Sequence, residues 1–133
     1  MSITMLQPPG WPQPRGYANG VTATGDMVFV SGMVGWNERG QFDTDTLAGQ
    51  VARALENAMA ILKEAGATPE DVVRMTWYLR DRKEYLASVK EIGEAYRKVM
   101  GRHFPAMTVV EVSGLLEERA RVEIEVTAVI PKR

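Results

Sequence analysis

The chain of 133 residues contains no cysteine. That absence removes disulfides, thiolate nucleophiles and thiolate metal sites together, and a cytoplasmic location is the expectation that goes with it. Histidine is nearly as scarce, His103 being the only one. A lone imidazole without cysteine cannot build a transition-metal site, and no tight Asp/Glu cluster is evident in its place, so no metal and no cofactor are expected. No apolar run approaches the ~20 residues needed to cross a bilayer. The first residues, MSITMLQPPGWPQPRGY, lack the basic start and apolar stretch of a signal peptide, so neither secretion nor a membrane partner is expected. A surplus of one charge is missing too: 16 Lys and Arg stand against 17 Asp and Glu, a net charge of −1. No global field draws such a chain toward nucleic acid, and the sequence shows no basic surface interleaved with aromatics for RNA.

What is there describes a folded protein. Apolar residues make up 45% and charged ones 25%, and a chain of this length fits a single domain over residues 1–133. Four of the seven prolines fall between Pro8 and Pro14, so residues 1–16 are expected to form a stiff, extended surface arm. GVTATGDMVFVSGMV predicts a β-hairpin turning at Gly25-Asp26. From Thr46 to Ala65, Leu47, Val51, Ala54, Leu55, Ala58, Ile61, Leu62 and Ala65 recur at helical spacing, with Gln50 among the polar positions between them. Asp43, Thr44 and Asp45 offer N-cap oxygens, and Gly66 can close the C-terminus.

DVVRMTWYLRD then reads as a strand with Val73, Met75, Trp77 and Leu79 on one face. Asp81 and Glu84 resemble a capping box that opens a second helix, whose stripe of Tyr85, Leu86, Val89, Ile92, Tyr96 and Val99 ends at Gly101. Two strands, near Met107–Val112 and Arg121–Ile130, complete the order. It implies an α+β layer with two helices on one face of a mixed sheet. In the last strand Val122, Ile124, Val126, Ala128 and Ile130 point one way, and Arg121, Glu123, Glu125, Thr127 and Val129 the other. Two helices cover one face only. The other, of mixed polarity, is expected to be closed by a second copy of the chain, leaving wet clefts between subunits.

Several residues are candidates for chemistry. Glu123 and Glu125 lie two apart on one strand, roughly 6.5–7 Å between carboxylates. That suits mutual pKa perturbation and water activation; on spacing alone, ion pairs with Arg119 or Arg121 are the commoner fate of such a pair. Tyr17, in PRGYANG, is either a cover and hydroxyl donor for a ligand or an anchor that pins the arm to the hairpin. Trp36, in the turn-rich GMVGWNERG, marks a contact surface for a ligand or a neighbouring subunit, whereas Trp77 alternates in phase with the core. His103, beside Phe104-Pro105, is a general base, a surface residue or a stacking partner. Met107 is an apolar side chain where RHFPAMTVVEV leaves its loop, a place where chemistry is common.

Taken in order and at their separations, GYANGV, MVFVSGMV, FPAMTVVEV and RVEIEVTAV resemble the RidA/YjgF family of enamine/imine deaminases over nearly the whole chain. The resemblance implies a chorismate-mutase-like α+β fold, a homotrimer and three clefts between subunits. In active members an arginine follows Phe-Pro-Ala and grips the carboxylate of a 2-imino acid with both prongs. Here that position is Met107. Tyr17 matches the family's cleft tyrosine, Gly32 the glycine whose backbone faces the ligand, and Glu123 the glutamate that positions water, which ranks it above Glu125. Val109 replaces a small polar or cysteine residue and makes the pocket greasier. A missing charge-assisted pair is worth roughly 1.5–3 kcal/mol, so affinity for 2-imino acids is expected to fall at least about tenfold. Arg15, Arg102 and His103 are candidates for substitute charge, none at a matching position.

The expected function is therefore that of an imine or enamine deaminase, a hydrolase, acting on a small molecule other than the usual 2-imino acids. Glu123 orients water, Tyr17 shapes the cleft, and Gly32, Met107, Val109 and Trp36 line it. The alternative is a non-catalytic trimeric small-molecule binding protein that uses Met107, Val109 and Trp36 to hold an apolar or aromatic ligand. Some relatives have been described as ribonucleases or translation inhibitors; the lack of a basic surface weighs against that role here.

Overall fold

Stretches of period 2 and period 3.6 alternate along the chain, and most fold as their period dictates. The computed structural model describes residues 3–132. Its elements run β1 (Ile3–Leu6), β2 (Gly20–Ala23), β3 (Asp26–Val34), α1 (Leu47–Glu64), β4 (Val72–Leu79), α2 (Arg82–Leu86), α3 (Val89–Met100), β5 (Ala106–Glu111) and β6 (Val122–Ile130). Four strands form a sheet in the order β3-β6-β4-β5, antiparallel except for the β4–β5 pair. The α+β class, a mixed sheet with helices on one face, is as expected.

β6 is central because its alternation is the cleanest: Val122, Ile124, Val126 and Ala128 are buried, and they meet Val51, Leu55, Ala58 and Leu62 of α1 in the core. Helix α1 packs on β3, on β6 and on α3, so both long helices lie over the same face. Val129 points away from that face by register, yet it too is buried. The turn at Gly25 closes beside it: a Cβ there would come within 3.1 Å of Val129 and 2.0 Å of the Ile130 carbonyl oxygen.

Several local expectations are corrected. The predicted hairpin does not form, since β2 pairs with β1 in a separate two-stranded sheet. Gly25, at φ +152°, hands the chain from one sheet to the other in a backbone shape that favours glycine. The proline-rich arm thus starts as a strand, and Gln7 pins the rest: its amide donates to the Trp11 and Pro12 carbonyls and its oxygen accepts from Asn19. The burial phase of β4 is Val72, Met75, Trp77 and Leu79, not Val73, because a register shift against β6 falls between Val72 and Arg74.

Helix α1 is capped by Thr46, whose side chain accepts from the Gly49 N–H, while Asp43 and Asp45 are engaged by Asn37 and Arg119. Glu84 does not complete a capping box. Asp81 alone accepts from the Lys83 N–H, Glu84 pairs with Arg121 at 2.5 Å, and the helix breaks at Ala87–Ser88 into α2 and α3. Gln50, expected among polar surface positions, is fully buried. Its amide donates to the carbonyls of Thr44 and Arg119, its oxygen accepts from the Arg121 N–H, and α1 is thereby tied to both flanking loops.

Candidate active site

Where β4 and β5 run parallel, Met75 lies beside Met107 and Trp77 beside Val109. Met107 and Val109 therefore share the helix-covered face with the core. They do not reach the middle of it, because β5 is the edge strand and α3 leaves a gap above it. That gap is a cavity of about 520 Å³. Trp77, Met107 and Val109 form its floor, and Tyr85, Val89, Ile92 and Tyr96, the predicted stripe of the second helical segment, form its wall. Phe104 stacks on Tyr96 with centroids 5.4 Å apart and planes 12° apart; Trp77 meets Tyr85 edge-on at 6.5 Å.

Tyr17 reaches the same cavity. The Ala18 N–H donates to the Pro105 carbonyl at 2.9 Å, an isolated bridge joins Ala18 to Ala106, and Gly16 at φ +79° turns the arm, so Arg15, Gly16 and Tyr17 stand at the cavity's edge. Four of the residues singled out in the sequence, Arg15, Tyr17, Met107 and Val109, are thus brought together. Those not foreseen are the aromatic walls and Arg97 of α3.

Glu123 and Gly32 are also together, on the other side of the sheet. Glu123 pairs across the ladder with Tyr78, not with Trp77, and so faces away from the helices. A register shift between Val30 and Met33 puts two residues, Ser31 and Gly32, against one on β6. The bulge frees their backbone from the ladder. A Cβ built on Gly32 would lie 2.0 Å from Glu123 Oε2, so only glycine leaves room for that carboxylate. Next along the strand, Glu125 accepts from the Tyr78 hydroxyl at 2.6 Å; that hydrogen bond, then partial burial and the neighbouring carboxylates, raise the Tyr78 phenol above its usual range. Exposed Phe29, with Arg74 and Thr76, borders a groove on this open face.

The remaining candidates lie elsewhere. Trp36 packs against Phe42 at 6.1 Å, its carbonyl accepts from Arg53 and Asn57 of α1, and it lines neither the cavity nor the groove. His103 Nε2 donates to the Val72 carbonyl at 2.7 Å, and the His103 carbonyl accepts from the Tyr96 hydroxyl at 2.5 Å, which staples the loop before β5 to the strand and helix beside it. Burial raises the Tyr96 and Tyr85 phenols above their usual range. Arg102 is exposed and does not line the cavity. No group of three or more His, Asp or Glu able to hold a metal occurs among the described residues, and no helix of theirs is long and apolar enough to cross a membrane.

Residues 12–130 match the family described as endoribonuclease L-PSP. A RutC family protein of Pyrococcus abyssi is 34% identical over 118 residues, which is 88% of this chain and 89% of that protein. The 2-iminobutanoate/2-iminopropanoate deaminase of Escherichia coli is 33% identical over 114 residues, 85% of this chain and 86% of the enzyme. Among solved structures, YyfB of the conserved Rid protein family from Yersinia pestis superimposes with a TM-score of 0.86 at 27% identity, covering 98% of this chain and 100% of that one.

Proposed function

The chain belongs to the RidA/YjgF family, that of endoribonuclease L-PSP, and from this premise we propose that it is an imine or enamine deaminase whose site is completed between copies of the chain. One observation carries the reading. Glu123 sits over a glycine that alone makes room for it, yet it lies on the sheet face opposite the cavity of Tyr17, Met107 and Val109. One chain cannot offer both to one ligand. A neighbour can, and the homotrimer with three intersubunit clefts is the assembly that provides it.

In such a cleft the ligand body rests in the cavity of one protomer, and Glu123 of the next accepts a hydrogen bond from water and aims it at the C=N carbon. Addition gives a carbinolamine, one water proton passes to nitrogen, and collapse releases a carbonyl compound and ammonia. No cofactor is needed for this balance. Met107 supplies contact area but no charge, which supports a substrate other than small 2-imino acids. Binding without turnover is the second reading. It is supported by a cavity whose apolar and aromatic walls come from one chain alone.

The test is ammonia release from a panel of imines generated in situ, measured against free hydrolysis. Acceleration that is lost in Glu123→Gln and in Gly32→Ala, both still folded, is the expected result. No acceleration by the wild-type protein across the panel leaves the binding reading in its place.

A further inference from the structure

The substitution of Met107 removes positive charge from β5, but the cavity is not without cations. Arg97 of α3 and Arg15 of the arm both line it. Arg97 stands four residues after Gly93, and helix side chains lean back toward the N-terminus, so residue i+4 lies over residue i. Glycine at 93 leaves that space open: a Cβ there would be 3.2 Å from Arg97 Nη1. The guanidinium folds back over the bare turn of helix beside the aromatic wall. Among the described residues, no carboxylate lies within 4.0 Å of either Arg97 or Arg15, although four other basic residues have acidic partners.

A second observation is independent of charge. The indole N–H of Trp77 is the one buried side-chain polar atom without a hydrogen-bond partner among the described residues, and Trp77 is only 2% exposed. Trp77 is part of the cavity floor. Its ring atoms face the cavity, while its N–H is closed off from it.

We propose that this cavity binds a small aromatic carboxylate, with its ring among Trp77, Tyr85, Tyr96 and Phe104 and its carboxylate on the guanidinium of Arg97, assisted by Arg15. The inference rests on the cavity's being the ligand site and gives that site its substrate class: anionic and aromatic, held by a cation moved from the strand to the helix. The glycine at 93 and the arginine at 97 form one unit, since a side chain at 93 would crowd the guanidinium, whose Nη1 lies 3.2 Å from the place of its Cβ.

Calorimetric titration of the whole wild-type protein with phenylacetate, phenylacetamide and acetate tests this. Phenylacetate should bind tightest, with the uncharged amide weaker by about tenfold or more, as loss of a charge-assisted pair requires. Acetate, without a ring, should bind weakest. Arg97→Gln should abolish the preference for acid over amide while leaving the amide's affinity in place, and Gly93→Ala should reduce that preference. Added salt should weaken phenylacetate but not phenylacetamide. Equal affinity for acid and amide in the wild type, or a preference that survives Arg97→Gln, overturns the proposal. If Arg97→Gln fails to fold, the wild-type acid–amide pair and its salt series decide alone. An acid preference without imine turnover leaves this inference standing and removes the deaminase; imine turnover without an acid preference does the reverse.

Discussion

The two faces of the four-stranded sheet are built to different ends. On the helix side, Ile124, Val126, Met75 and Trp77 are closed over by α1 and α3, and that face is finished within a single chain. On the other side, Phe29 is 70% exposed, and Met27 and Val110 are open beside Glu123, Glu125, Tyr78 and Arg74. Apolar side chains are common enough on protein surfaces; here a whole uncovered sheet face mixes them with carboxylates and a bulged glycine. The comparison teaches how the candidate residues divide: the covered face holds the cavity at its edge, and the uncovered face holds Glu123.

The largest expected effect lies on the covered face. Ile124→Ala should cost about 2–5 kcal/mol of unfolding free energy in denaturant titration, because a central strand under two helices collapses poorly around a void. A loss below about 1 kcal/mol would mean that this face is less firmly closed than its burial indicates. Next comes Gln50→Leu, which orphans the Arg121 N–H and the Thr44 and Arg119 carbonyls in the interior. Each group left unpaired costs about 1–3 kcal/mol unless water reaches it, and thermal unfolding should show the loss.

The smallest effect separates the faces by pH. Tyr85 and Tyr96 have raised phenol pKa values from burial on the covered side, and Tyr78 from its hydrogen bond to Glu125 on the open side. For groups raised on folding, stability is fully present below the unfolded tyrosine value of about 10 and is lost as pH climbs through the folded values. Unfolding temperature should therefore be level up to that pH and fall above it. Glu125→Gln should bring the Tyr78 phenolate transition down, read by ultraviolet absorbance, and leave those of Tyr85 and Tyr96 unmoved.

The sequence made the covered face readable and the open face only partly so. The stripe of α1 and the alternation of β6 are strong periodic signals that tertiary packing reinforces. Val73 misled because a one-residue shift against β6 inverts the phase of everything before it, and no periodicity announces a bulge. Gln50 misled because burial of an amide depends on three backbone partners up to 71 residues away. The β1–β2 pairing was hidden by the prolines, which describe the arm but not what it meets.

At the site, the resemblance to a family placed Tyr17, Gly32, Met107, Val109 and Glu123, and the fold divides those five into two groups on opposite faces. Arg97 was invisible for a physical reason. A charged residue late in an amphipathic helix looks solvated, and only its spacing of four from a glycine hints that its head folds back along the wall of a cavity.

Whether the two faces ever meet is settled most directly by the mass of the wild-type protein in solution, measured by light scattering beside Phe29→Asp. Three copies of the 14.8 kDa chain, reduced toward one copy by the added charge on the open face, is the predicted result. A wild-type protein that stays a single chain at every concentration would leave Glu123 and the cavity permanently apart and contradict the account.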